Sequence, residues 1–577
     1  MSFDLTTRPW IPVLDRDGIQ RELSLREVFE QAGRLRRIVG DLPTQEFALL
    51  RLLLAVAHDA LQGPGDIDDW SDLWCDEQCF TPVGSYLDTH AVRFDLLDPV
   101  RPFFQTASLR TAKDEVFSLN RIVADVPNGE PFFSARMPGV ERLTFAEAAR
   151  WTVHAHAFDT SGIKTGSVGD ERARSGKVYP LGVGWAGNLG GVFVEGRSLR
   201  ETLLLNLVAA DTANFEIDAD DAPAWRREPC GPGGVDRAPT GVRDLYTWQS
   251  RRLRLHFDEH GVTGVVLGYG DPLHSRNRQH REPMSAWRRS TVQEKKLGES
   301  PVYLPREHDP ERAAWRGIAS LVATEPARGQ GGEAAAFLRP AVLEWVARLV
   351  TEGELERGFL VRARVVAAQY GTQQSVIDEI VDDHVAMAVV LLHDQDRRYA
   401  EQAIAAVGDA DRAVNALGDL ATNLARAAGL LTQATRADSP YQRATALQNA
   451  TALYTGQLCE GADYLWAQGL RTALHRRALD ALMLLAEHTA QHSADPEPAL
   501  DLLNQAADLD PENEGVYRRI IQLQITLGRD DAAHRTLSLL TERLAALDET
   551  PEPATLALLN QAPPTRKVPA GGPSSRR

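Results

Sequence analysis

Cysteine is scarce: the 577-residue chain has four, at positions 75, 79, 230 and 459. Cys75 and Cys79 would share a helix face, but no second pair stands at zinc spacing, so reduced structural thiols and no metal are expected. Long hydrophobic runs are also missing. The most apolar early stretch, Phe47 to Leu61, is broken by Arg51, His58 and Asp59 and is too short for a membrane span. The first residues lack the basic-then-apolar order of a signal peptide, and a cytoplasmic protein is expected. Positive charge is in deficit, with 63 Lys and Arg against 80 Asp and Glu and a formal charge of −17. That balance excludes coating nucleic acid by bulk attraction while leaving room for a local basic site.

Catalytic signatures are absent as well. There is no G-x-S-x-G and no H-E-x-x-H. His308-Asp309 and His393-Asp394 are isolated pairs, and His154 and His156 lie apart on the helix that AEAARWTVHAHA predicts. Gly182-Val-Gly184-Trp-Ala-Gly187 matches G-x-G-x-x-G, but a turn and a strand follow it where a dinucleotide fold needs a helix. Gly176-Lys177 has neither the glycine spacing nor the Ser/Thr of a phosphate-binding P-loop. The sequence offers no catalytic constellation, and no cofactor is expected.

What is present is glycine beside positive charge. Between Phe158 and Gly191, nine of 34 residues are glycine and four are Lys or Arg. Glycine permits positive φ and close backbone approach to a ligand, and exposed amides near cations suit an anion. Turn formation and close packing explain Gly182 to Gly191 equally well. A second basic stretch, 276–296, has seven Lys/Arg against two Glu and contains Trp287, which leaves base or sugar contact open beside a solvated basic face.

Along the chain, Ser24 with Glu27 forms a capping box before a helix. Thr44 onward predicts a second helix, and 94–105 a strand or extended segment. Residues 211–245 read as a long loop, and short strands are expected around 246–257 and 261–268. The pattern VRARVVAAQY predicts a strand that ends in a tight turn at Gly371-Thr-Gln-Gln374, and Ala/Leu/Val periodicity predicts helix over 375–428. The expected fold class is α+β. A mixed globular domain covers 1–370, a partial helical bundle 371–435, an all-α tetratricopeptide-like module 436–550, and a disordered tail 551–577.

Several blocks, in one order, carry a family resemblance: RPWIPVLDRDG, LPTQEFALLRLLLA, FDLLDPVRPFFQ, FDTSGIKTGSVGD, GWAGNLGG, EPMSAWRRSTVQEKKLG and QYGTQQSVIDE. The chain resembles the large-subunit (CasA) family of type I-E CRISPR Cascade complexes. The resemblance implies a non-catalytic subunit that joins guide RNA and other Cascade subunits. It would check the protospacer-adjacent motif of double-stranded DNA from the minor groove, help start strand opening for R-loop formation, and offer a surface to a helicase-nuclease. It places the motif-reading glycine loop at Gly162, Lys164, Thr165, Gly166 and Gly169, and a wedge at Gln373 and Gln374.

The family's lysine finger has no lysine counterpart here, and Arg276, Arg278 and Arg281 stand in its place. Arg and Lys differ in geometry, so motif preference would differ with them. Phe132 and Phe133 resemble a loop that contacts the guide RNA and neighbouring subunits, where exposed rings would stack and buried ones would pack. The cysteine cluster of some relatives is reduced to Cys230, so no zinc is implied. After about Pro440 the chain resembles a bacterial transcriptional activation domain of tetratricopeptide type. This leaves a regulatory or scaffold protein with an inactive N-terminal half as the alternative.

Overall fold

A computed structural model describes residues 1–124, 139–213, 215–322, 334–393, 396–457 and 465–560. Phe132, Phe133, Asp394 and Cys459 lie outside the described residues. The chain divides into two compact units, Met1–Asp409 and Ala410–Arg577. The architecture is α+β, with the strands in the first unit and helices alone among the described elements of the second.

The first unit is built around the helix Pro43–Ala60, nearly every residue of which is buried. From Phe47 to Ala57 every residue but Arg51 is apolar, so this stretch is satisfied by packing on every side. Its Arg51 is fully buried, paired with Glu282, with its guanidinium 4.3 Å from the Tyr246 ring centre and 4.7 Å from that of Trp185. A buried charge is tolerated only with such partners. The helix Phe145–Phe158 is also buried, and starts at a Thr144–Glu147 capping box. Ser24 and Glu27 form the expected box at the helix Leu25–Glu30.

Two hairpins flank the glycine-rich segment. One pairs Arg251–Asp258 with Gly261–Tyr269, so that Arg251 and Tyr269 face each other at its open end. The other pairs Leu360–Tyr370 with Ile377–Ala388, and Gly191–Val194 adds a third strand beside Leu360–Tyr370. This second hairpin corrects the sequence reading, which runs helix through 375–428 and assigns 371–435 to a partial bundle. Val381, Val385 and Met387 are buried while Asp382, Ala386 and Ala388, which alternate with them, are not, a pattern of period two. Arg364 pairs with Asp382 at 2.7 Å across the strands. The helix begins only at Arg397 and runs to Arg436. Residues 94–105 also differ from expectation. They form bends with one bridge, Asp4 to Asp95, because the Asp95 and Asp98 side chains take up the amides at Leu97, Val100 and Arg101.

The second unit stacks helices at Pro440–Thr451, Leu465–His492, Glu497–Leu509, Glu514–Thr526 and Asp530–Ala545. Leu500, Leu503 and Ala507 share one helix face, and they pack in a core with Val516, Tyr517, Ile520, Leu540 and Leu544. Residues 551–560 are expected from sequence to lie in a disordered tail. Instead Pro553–Asn560 is helical, with the buried Thr555 hydroxyl bonded to Glu514 and the Glu552 amide donating to Glu514 at 2.7 Å.

Candidate nucleic-acid interface

The glycine-rich segment serves two different ends. In its second half glycine is required because neighbours leave no room. A Cβ on Gly184 would lie 2.4 Å from the Ala157 carbonyl carbon, one on Gly187 2.2 Å from the Tyr370 hydroxyl, and one on Gly191 2.4 Å from the Phe47 ring. The turn-and-packing reading of Gly182 to Gly191 therefore holds.

The first half forms a partly exposed loop that includes a small hairpin, Lys164–Thr165 paired with Lys177–Val178. Gly162 has φ +134° and open space where a Cβ would stand, and Gly169 has φ +91°. Gly166 is enclosed instead, with its amide on the Gly176 carbonyl at 2.9 Å. Ile163 and Tyr179 flank the loop and are 58% and 69% exposed. Lys164 corrects the sequence reading. Its side chain is only 12% exposed and turns inward to Asp159 at 2.7 Å, so it cannot meet a duplex in this conformation. Thr165 accepts a bond from Arg121 at 2.9 Å.

Beneath the loop, Asp159 is shared by two cations, Lys164 and Arg251. Burial pushes the Asp159 carboxyl up, but the two cations outweigh burial and hold it below the usual range. Burial lowers Lys164, and Arg251 lowers it further while Asp159 opposes both. Two basic side chains thus meet a single carboxylate under the loop.

Five consecutive residues at the loop's entry are each tied down. The Phe158 carbonyl accepts from the Tyr370 hydroxyl at 2.8 Å. The Asp159 and Thr160 carbonyls accept from Arg251 at 2.9 and 3.2 Å. The Ser161 amide donates to the Gln374 carbonyl at 2.7 Å. Gly162 donates its amide to the Tyr269 hydroxyl at 3.0 Å, and its carbonyl accepts from the same hydroxyl at 2.6 Å. Sequence reasoning singles out none of Ser161, Arg251, Tyr269 and Tyr370. The only signal is the place of Arg251, Tyr269 and Tyr370 at the ends of strands that border the glycine segment, with Ser161 inside it.

Gln373 and Gln374 are exposed at the tip of the second hairpin, both left-handed at φ +56° and +55°. Asp378 occupies the space a Cβ on Gly371 would need, at 2.3 Å, which explains glycine at the turn's start. A cleft of about 560 Å³ lies between loop and tip, bordered by Asp159, Ser161, Ile163, Ser375 and Asp378.

The three arginine candidates separate. Arg276 is exposed beside Asn277, whose φ is +54° and whose amide and side chain bond to the Tyr303 backbone. Arg278 bonds the His274 carbonyl at 3.4 Å. Arg281 is occupied by the Thr240 carbonyl at 2.8 Å and Asp218 at 2.9 Å. Trp287, left open as a base contact, is 1% exposed in a strand and packs in the core.

The structure thus presents a glycine loop and a glutamine-tipped hairpin joined by a backbone hydrogen bond. A family model described as CRISPR-associated protein Cse1 matches residues 4–495. The chain belongs to the Cse1 family. Among solved structures, Cse1 of Thermobifida fusca is 52% identical with a TM-score of 0.69, covering 88% of this chain and 98% of that one. Cse1 of Acidimicrobium ferrooxidans is 30% identical with a TM-score of 0.60, covering 97% and 98%. CRISPR-associated protein CasA/Cse1 of Thermus thermophilus is 31% identical over 354 residues, 59% of this chain. The chain spans 63% of the length of that curated relative. The Cse1 match continues past Pro440, where the sequence pattern alone suggests a change of likeness.

Proposed function

We propose that the chain is the large subunit of a type I-E Cascade effector. In this reading it recognises the protospacer-adjacent motif of double-stranded DNA from the minor groove and helps start strand opening. It would then recruit a helicase-nuclease, and would itself have no catalytic activity. Sequence beyond the motif is left to guide-RNA pairing. The observation that carries the reading is the Ser161–Gln374 bond, which sets a backbone surface able to lie against base edges next to a side-chain tip able to part a base pair. Gly162 and Gly169 are the backbone readers, Gln373 and Gln374 the wedge, and Arg276 the finger. Lys164 supports the loop from below through Asp159, and Phe132 and Phe133 are proposed contacts to guide RNA or a neighbouring subunit.

The test is reconstitution with guide RNA and the remaining subunits, with and without this chain. Motif-dependent duplex binding and R-loop formation should require it. Gln374→Ala should slow opening about tenfold while leaving initial binding within about twofold, because the loop is untouched and only a wedge contact of ~1–2 kcal/mol is lost. R-loop yields that are identical without the chain would end the proposal. Residues 436–550, with a core of their own, are proposed as an interaction module. A scaffold role for that module alone would be favoured if the chain captured a partner while never joining guide RNA.

A further inference from the structure

Resting on that reading, we infer that motif reading and strand opening are one mechanical unit, with Tyr269 as the positioning residue that fixes the glycine loop against the hairpin tip. Tyr269 is 2% exposed and ends the strand Gly261–Tyr269, so its ring is fixed by the sheet. Its hydroxyl both accepts from the Gly162 amide and donates to the Gly162 carbonyl. Rotating the backbone on either side of Gly162 breaks one of these bonds. Arg251, its cross-strand partner, stacks 4.9 Å from its ring centre and grips the Asp159 and Thr160 carbonyls as well as that of Gly182 at 3.1 Å.

Ser161 lies between the two grips, and its amide points at the Gln374 carbonyl. That carbonyl is aimed back at the loop by two successive left-handed residues, a conformation that costs about 1–2 kcal/mol per non-glycine residue. The tip holds this costly shape with a partner from the loop as well as its own Gln374–Gly371 backbone bond at 2.8 Å. A duplex that displaces the loop therefore displaces the wedge. Backbone at the tip carries the coupling, and the glutamine side chains do not.

Tyr269→Phe removes one buried oxygen at constant shape. In the complete complex, the ratio of affinities for a preferred-motif duplex and a scrambled-motif duplex should fall about tenfold, the cost of one broken buried hydrogen-bond pair. Opening should fall with it, while scrambled-motif affinity stays within about twofold. A target already unpaired beside the motif should restore opening in the variant but not discrimination. A second variant replaces Thr372–Ser375 with Asn-Gly, which deletes the Gln374 carbonyl at an exposed turn. It should lose discrimination as well as opening, whereas Gln374→Ala, which keeps the carbonyl, should lose opening alone.

Unchanged discrimination in both backbone-directed variants overturns the coupling while leaving the proposed function intact. Equal loss of preferred and scrambled binding in Tyr269→Phe also overturns it, because it reduces Tyr269 to a folding residue. Absence of motif dependence in the wild-type complex overturns the proposed function itself.

Discussion

His156 shows how a single side chain can make the interface sensitive to acid. Its Nε2–H donates to the Phe104 carbonyl at 2.9 Å, which leaves Nδ1 to accept from the Arg251 amide at 3.3 Å. Both ring nitrogens are used, and only the neutral ring can do this. Burial, chiefly, pushes its pKa down to about 4, with Arg252 and Arg251 lowering it further and the Phe104 bond and Asp159 opposing. His154 is likewise lowered to about 4 by burial. The folded state therefore takes up these protons later than the unfolded state, whose histidines titrate near 6.5. Stability is complete above about pH 6.5 and declines as pH falls toward 4, by up to about 3 kcal/mol per ring. Chemical denaturation between pH 7 and pH 4.5 should show this slope, and His156→Gln should reduce it. A flat profile would contradict the assignment. Gly187 and Gly191 make a second prediction at this scale. Either one changed to Ala should cost about 1–3 kcal/mol in an unfolding experiment, by overpacking against Tyr370 or Phe47.

At the scale of elements, the sequence is most informative where local chemistry is self-contained. The Ser24–Glu27 box, the helix carrying His154 and His156, and the Gly371 turn all form as read. It is least informative where a partner strand decides. IDEIVDDHVAMA fits either period over its short apolar positions, and only pairing with Leu360–Tyr370 selects the strand. Lys164 departs from its sequence reading for a related reason. The direction of a side chain in a two-residue strand depends on what lies beneath, and Asp159 is not its sequence neighbour. Tyr269 is one more strand aromatic in the sequence, and only the fold brings its hydroxyl to Gly162. The family blocks locate the loop and the tip, but the hydrogen bonds that join them come from residues up to 213 positions apart, Ser161 and Gln374.

For the whole molecule, the formal charge of −17 bears on how the proposed DNA contact would be held. With Arg281 and Lys164 already ion-paired, the exposed Arg174, Lys177 and Arg276 are left to neutralise phosphates. The isolated chain should bind duplex weakly, with log K falling by only about 1–3 per decade of salt, as expected for one to three phosphate contacts. A titration from about 50 to 200 mM salt would measure it, and a much steeper slope would indicate a basic surface elsewhere. Long-range attraction to DNA would then have to come from other subunits, with this chain supplying close-range fit.

The tight seat of Gly184, Gly187 and Gly191 has a consequence for engineering. Variation beneath the loop is closed off, because every added atom there collides with Ala157, Tyr370 or Phe47. Libraries aimed at the proposed motif reading should therefore leave those glycines fixed and randomise Ile163, Tyr179 and Arg276, which ride on the surface and can be exchanged without retooling the chassis.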